Sequence, residues 1–218
     1  MRRIILLCAL LAVLLVGWFW WSNHASHNQL GLTAPTIVKQ PVNFVERSFD
    51  PANPPSDMPP FAPGELAVCD SNFLSNANVG GESHETDSTH ATVTVTKVTV
   101  TLQLNITIWV PASATQHVIE HEQGHREISE HFYEFADKLA AQIASKYLGK
   151  DFPITGTDLQ AELSKSLHQM GAEINEQYNR ELNPEPAQVR YDAITDHSRN
   201  DVSAKDAVAQ ALSATAAS

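Results

Sequence analysis

From Thr92 to Val110 apolar and polar residues alternate almost without interruption. Val93 and Val95 fall on one phase, and Val98, Val100, Leu102, Leu104, Ile106, Ile108 and Val110 on the other. Strict period two in a run rich in Thr and Val predicts a β-strand. The phase slips at Lys97 to Val98, and a one-residue slip would exchange the faces, so a bulge or bend is expected there. Pro111 ends the run.

Beyond Pro111 the period changes. Ser113 with Gln116 makes a capping-box pattern, and a helix is predicted from Ala114 to Gly149, the latter as its C-cap. His121, His125, Ile128, Phe132, Phe135, Leu139 and Ile143 recur at spacings of three and four, which puts them on one stripe and both histidines on the core-facing side. A second helix is predicted after Thr157, with Leu159, Leu163, Leu167, Met170, Ile174 and Tyr178 on one face and Asn183 and Pro184 at its end.

The remaining stretches are less periodic. "TIVKQPVNFVERSF" can supply a short strand, and "DPANPPSDMPPFAP" is proline-dense and reads as a stiff loop. "NVGGESHETDSTH" reads as a turn-rich connection into the long strand, and the Ala- and Ser-rich end, "SAKDAVAQALSATAAS", as frayed or weakly helical.

Residues 4–21 carry no charge and follow Arg2 and Arg3. As a helix they would span about 27 Å, close to the apolar thickness of a bilayer, with the Trp18 to Trp21 cluster at the interface. The segment is either an uncleaved anchor or a cleaved signal peptide. In both cases the rest of the chain is expected outside the cytoplasm. The expected division is 1–21 as membrane segment or signal, 22–63 as a polar and Pro-rich linker with a possible short strand, 64–200 as the folded domain and 201–218 as the tail.

Composition narrows the partners. With 14 Lys and Arg against 25 Asp and Glu, the net charge is −11 and there is no basic run, which argues against nucleic acid or anionic lipid as a ligand. Cys8 lies in the apolar segment, so Cys69 has no partner within the chain and no disulfide framework is expected.

The chemistry concentrates in "HEQGH". On a helix, His121 and His125 lie one turn apart, about 40° around the axis and 6 Å along it, so two imidazoles can hold one metal ion. Glu122 projects beside the pair, where it can reach a metal-bound water without being a ligand, as in the H-E-x-x-H arrangement of zinc peptidases. A hydrolytic zinc site takes a third protein ligand. His131 would lie about 15 Å further along a continuous helix, too far for the same ion. His117, one turn before His121, cannot meet that ion either, and His84 and His90 read as solvated. His197, in "YDAITDH", remains as the residue of a segment that can fold back over the first helix.

These two motifs resemble a bacterial family predicted to be secreted zinc-dependent proteases of the zincin class. The resemblance spans roughly residues 37–200 and rests on "HEQGHREI" after a strand ending in "WVP", followed by "YDAITDH". The family's late motif, Y-D-x-x-T-x-H-G, maps onto Tyr191, Asp192, Thr195 and His197, with Ser198 where Gly is usual and the later Trp missing. Resemblance and residues together imply Zn2+ held by His121, His125 and His197, with Glu122 as general base. Tyr191 is either an oxyanion donor or a packing residue, and Asp192 either orients a ligand histidine or caps a helix.

The implied fold class is α+β and zincin-like, a small β-sheet packed on a long active-site helix with a second helix behind, plus the N-terminal membrane segment. The strand from Val98 to Val110 at the rim of the cleft would take an extended polypeptide substrate by main-chain pairing. The expected function is an exported zinc-dependent peptidase. Its alternatives are a non-catalytic envelope protein that binds metal or a partner on the same scaffold, and a hydrolase of another amide such as a cell-wall peptide.

Overall fold

A computed structural model describes residues 34–61 and 64–215. The expected membrane segment at residues 4–21 lies outside the described residues. Among the described residues no helix is long and apolar enough to cross a membrane.

The chain is a mixed α/β fold with one five-stranded sheet. Its axis is β4 (His90–Pro111), the strand that the alternation predicts. Along one edge β4 pairs antiparallel with β3 (Val68–Asp87), from Trp109 opposite Val68 to His90 opposite Asp87. The other edge is shared end to end. β5 (Asp151–Thr155) runs antiparallel beside His90–Thr94, whereas β1 (Thr36–Lys39) and β2 (Asn43–Phe49) run parallel beside Thr99–Leu102 and Asn105–Pro111. The single expected strand near residue 40 is therefore two, separated at Gln40–Val42.

The expected bulge is present. Gly80 pairs with Lys97 but Gly81 pairs with Val95, so Thr96 is the extra residue. The extra residue turns Lys97 outward and puts Val93, Val95, Val98 and Val100 on one buried face. Two sequence phases become one core face.

The turn-rich connection expected over residues 78–90 is mostly strand. Only Ser88 and Thr89 turn, with Asp87 Oδ1 accepting from the Thr89 amide at 2.8 Å. Gly81 serves close approach instead: a Cβ there would lie 2.6 Å from Val93 Cγ2 and 2.7 Å from Thr94 O.

The helices cover the buried face. α1 (Gln116–Glu134) starts at Thr115, whose hydroxyl accepts from the Val118 amide, two residues later than the expected cap. The predicted continuous helix breaks at Phe135 (φ −102°, ψ 1°), and α2 (Ala136–Ala144) begins there. The break leaves Phe135 50 % exposed, outside the expected stripe, while Ala136, Ala140, Ile143 and Ala144 pack fully on the sheet. The helix is capped at Ser145 and not at Gly149 as expected; Gly149 ends the following turn at φ 72° and donates its N–H to Val95 O at 2.8 Å.

α3 (Leu159–Glu181) is capped by Asp158, which accepts from the Ala161 amide at 3.0 Å. It buries Met170, Ile174 and Tyr178, the last three of its expected apolar stripe. Pro186 stands in the first turn of α4 (Glu185–Thr195), a placement that favours helix initiation. The end of the chain, expected to be frayed, forms α5 (Ala204–Thr215). Ala207, Val208 and Ala211 are buried there with Ile128, Ala187 and Tyr191. Small side chains at spacings of one and four let α5 lie close to its neighbours, which the low-complexity composition conceals.

Candidate metal centre

The site forms where α1, α4 and the start of β3 meet. α1 presents His121 and His125 from successive turns, as the spacing requires. α4 brings Asp192 to both. His125 Nε2 lies 3.2 Å from His121 Nε2 and 3.0 Å from Asp192 Oδ1, and His121 Nε2 lies 3.3 Å from the same oxygen. A tetrahedral ion with bonds of about 2.0–2.1 Å needs donor atoms about 3.3–3.4 Å apart, so this triangle is close to the size a metal requires.

The hydrogen bonds around it select the free lone pairs. Gln188 Nε2 donates to His125 O at 3.1 Å and to Ser129 Oγ at 3.0 Å, which turns Gln188 Oε1 to His125 Nδ1 at 2.6 Å. Nδ1 therefore donates, and on a neutral ring Nε2 has only a lone pair to offer. That lone pair faces a carboxylate oxygen and another imidazole, an arrangement that only a proton or a cation can satisfy. Gln188 orients His125 as outer partners orient metal ligands.

The electrostatics follow from burial. His121 and Glu122 are 5 % and 4 % exposed. Burial pushes the Glu122 carboxyl up to about 7, against the pull of His125 and of a hydrogen bond from the Cys69 main chain. Burial lowers His121. It opposes protonation of His125 too, but the Asp192 carboxylate prevails and holds that ring above the usual imidazole value. Asp192, despite its own burial, is held far below the carboxylate range by the two histidines.

Glu122, His125 and Asp192 open into a cleft of about 340 Å³ between β3 and α4. Val68 to Ser71 and Phe73 form one wall, Gln188 and Val189 part of the other. Glu65, Asp70 and Glu185 add three more carboxylates, and among the described residues no Lys or Arg lines the space.

No family model, curated protein or solved structure matches this chain. What the site can do rests on its own atoms.

The expected residues are brought together in two adjoining groups that share Asp192. His121, His125 and Glu122 stand as the motif requires. Asp192 stands beside the histidine pair, and His197 Nδ1 lies beyond it, 3.5 Å from Asp192 Oδ1. Tyr191 reaches the histidines as a wall: it is 0 % exposed, stacks on His121 at 5.0 Å and donates its hydroxyl to His121 O at 3.1 Å. Of the two roles open to it, this is the packing one. Gly124 makes that possible, since a Cβ there would overlap the Tyr191 hydroxyl and ring. His131 is exposed beside Glu134, and His117 Nε2 bonds Asn200 O at 2.9 Å, so neither enters the site.

Gln188 had no part in the sequence reading. A signal existed: Gln188 and Asp192 are four apart, and so are Ala187 and Tyr191, which gives a helix one polar and one apolar face side by side.

The expected rim strand also changes. Both edges of β4 are taken, so it cannot accept a further strand. Among the described residues β3 pairs only with β4, which leaves its other edge without a strand partner beside the cleft.

Proposed function

We propose that this chain is a zincin-type, zinc-dependent hydrolase of peptide bonds. The observation that supports it best is the triangle of His121 Nε2, His125 Nε2 and Asp192 Oδ1, with edges of 3.0–3.3 Å, beside the buried carboxyl of Glu122. The fit to a metal is chemical as well as geometric, because two imidazole nitrogens and a carboxylate oxygen converge there and an acidic cleft surrounds them.

His121, His125 and Asp192 would hold the ion, and three protein ligands leave a fourth position open. Bound there, zinc supplies Lewis acidity to an amide carbonyl and to the attacking water. Glu122 acts as the proton carrier. Burial disfavours its charged form, so the carboxyl is suited to take a proton from water and return it to a leaving amine. Gln188 fixes the His125 ring, and Tyr191 fixes the α1 main chain at His121. An extended polypeptide would pair with the open edge of β3 at Val68–Phe73, with its scissile bond over Glu122. The uncharged segment behind Arg2 and Arg3 supports placing this activity outside the cytoplasm.

The test is a pair of measurements on the full chain. Elemental analysis should find zinc in the purified, zinc-supplemented protein. Glu122→Gln should keep the zinc and lower hydrolysis of a denatured protein by about 10²–10⁴-fold. Protein without zinc, or a Glu122→Gln variant as active as the parent, overturns the reading.

A further inference from the structure

We infer that a second divalent cation binds beside the first, held by Glu65, Asp192 and His197, with the Asp192 carboxylate bridging the two ions. One ligand atom from each of these three residues lies within 4.8 Å of the others, separately from the set formed by His121, His125 and Asp192. Asp192 is the residue common to both.

Three further observations point the same way. Asp192 Oδ1 stands at the meeting of three imidazole nitrogens, 3.0 Å from His125, 3.3 Å from His121 and 3.5 Å from His197. Ring nitrogens gathered on one carboxylate oxygen can share cations with it. His197 Nδ1, moreover, is a buried ring atom without a hydrogen-bond partner, and it faces Asp192. A buried polar atom so placed needs a partner.

The third observation is charge. Glu65, Asp70, Glu122, Glu185 and Asp192 line one cleft, and among the described residues no Lys or Arg lines it. Ligating imidazoles are neutral, so a single divalent ion leaves that cluster with a large negative excess. A second ion offsets most of it.

One ion with His197 added to its ligands accounts for less. It would occupy the position a hydrolytic zinc keeps open. Two ions sharing a carboxylate would stand about 3.5–4 Å apart, the spacing of two-metal hydrolytic sites. One imidazole and two carboxylates suit a first-row divalent cation such as zinc, cobalt or manganese. The second set draws on two separate segments, Glu65 before β3 and His197 in the turn after α4. Its ion would join them.

The local backbone is compatible with a built site. Asp196, His197 and Ser198 are consecutive residues in the left-handed region, at φ 48°, 50° and 64°. Asn200 Nδ2 donates to Ile194 O at 2.6 Å and Arg199 Nε to Asp196 O at 2.9 Å, which closes the turn that aims His197 at Asp192.

The inference rests on the metal reading of the first site, and the count of ions separates the two. Equilibrium dialysis of the full chain against zinc, followed by elemental analysis, should give about two ions per chain. Glu65→Gln and His197→Ala, each with the circular dichroism of the parent, should give about one, retained by His121, His125 and Asp192. If His197→Ala fails to fold, Glu65→Gln, altering a partly exposed side chain, decides alone. One ion in the parent overturns the second site and leaves the first standing. No ion overturns both. Two ions in both variants overturns the assignment of these residues.

Discussion

The two sides of the contact between α1 and α4 are built from neighbouring residues and do opposite things. On one side Gly124, Ile128, Ala187 and Tyr191 close on α5 in a small apolar core, with Tyr191 laid directly on Gly124. On the other, Glu122, His125, Gln188 and Asp192 face a cleft lined by carboxylates. Gly124 and His125 are adjacent, as are Tyr191 and Asp192, and a rotation of about 100° per residue separates packing from chemistry. The packed side brings the helices together. The polar side opposes that, because it takes ionisable groups out of water. The site is therefore held by contacts one residue away from it.

The largest effect expected from this comparison is on the polar side. Glu122 has its folded carboxyl raised from 4.5 to about 7 by burial. The neutral form is the one the fold favours, so its stabilising effect is fully present below about pH 4.5 and is lost as pH rises through 7. Across that window the metal-free parent should lose about 3 kcal/mol relative to Glu122→Gln, whose amide does not titrate. Urea denaturation of both proteins in chelator, from pH 4.5 to 8, measures the difference. Parallel curves would show that Glu122 carries no such burden.

On the packed side, Gly124→Ala forces a methyl into the Tyr191 ring, which is fully buried and has nowhere to move. Overpacking of this kind costs about 1–3 kcal/mol. The upper end is expected here, and zinc affinity should fall with it, because α4 carries Asp192. A variant as stable as the parent, with undiminished zinc binding, would mean that the close approach does not set the site. Gln188→Ala probes the link between the sides. It leaves every ligand in place but frees His125 Nδ1, and it should weaken zinc binding by about 10–100-fold with little change in thermal stability. Unchanged affinity in a zinc titration would reduce Gln188 to a filler.

Some of this was readable in the residues and some was not, for physical reasons. β4 and its bulge are legible because period two in Val and Thr is imposed by the pleat itself, and Lys97 breaks it where Gly80 and Gly81 lie opposite. The histidine pair is legible because helix geometry alone places it. β3 is not, since its polar and glycine positions owe their strand conformation to the partner strand rather than to their own propensity. The break at Phe135 and the packing of α5 are likewise tertiary effects. The position of Asp192 beside the histidine pair depends on α4 being a helix, and the two prolines at residues 184 and 186 read equally as the end of one helix or the start of another. Gly149 shows the opposite case, a position whose left-handed backbone glycine announces in advance.

The smallest effect expected lies where the packed and polar sides join, in the turn after α4. Ser198 holds φ 64°, the last of three consecutive left-handed residues, and it stands where the resembling family has glycine. A residue with a Cβ is disfavoured in that region by about 1–2 kcal/mol, whereas glycine enters it freely. Glycine also gains freedom in the unfolded chain, which offsets part of the relief. The net gain for Ser198→Gly should be about 0.5–1 kcal/mol, read as a small rise in the denaturation midpoint. Because the change relieves the turn without moving His197 or Asp192, zinc binding should stay as in the parent. A loss of stability would show that the Ser198 side chain has a favourable role that outweighs the backbone. A loss of zinc with stability intact would show that the turn must be stiff to aim His197, and would make the left-handed strain part of the site rather than a cost beside it.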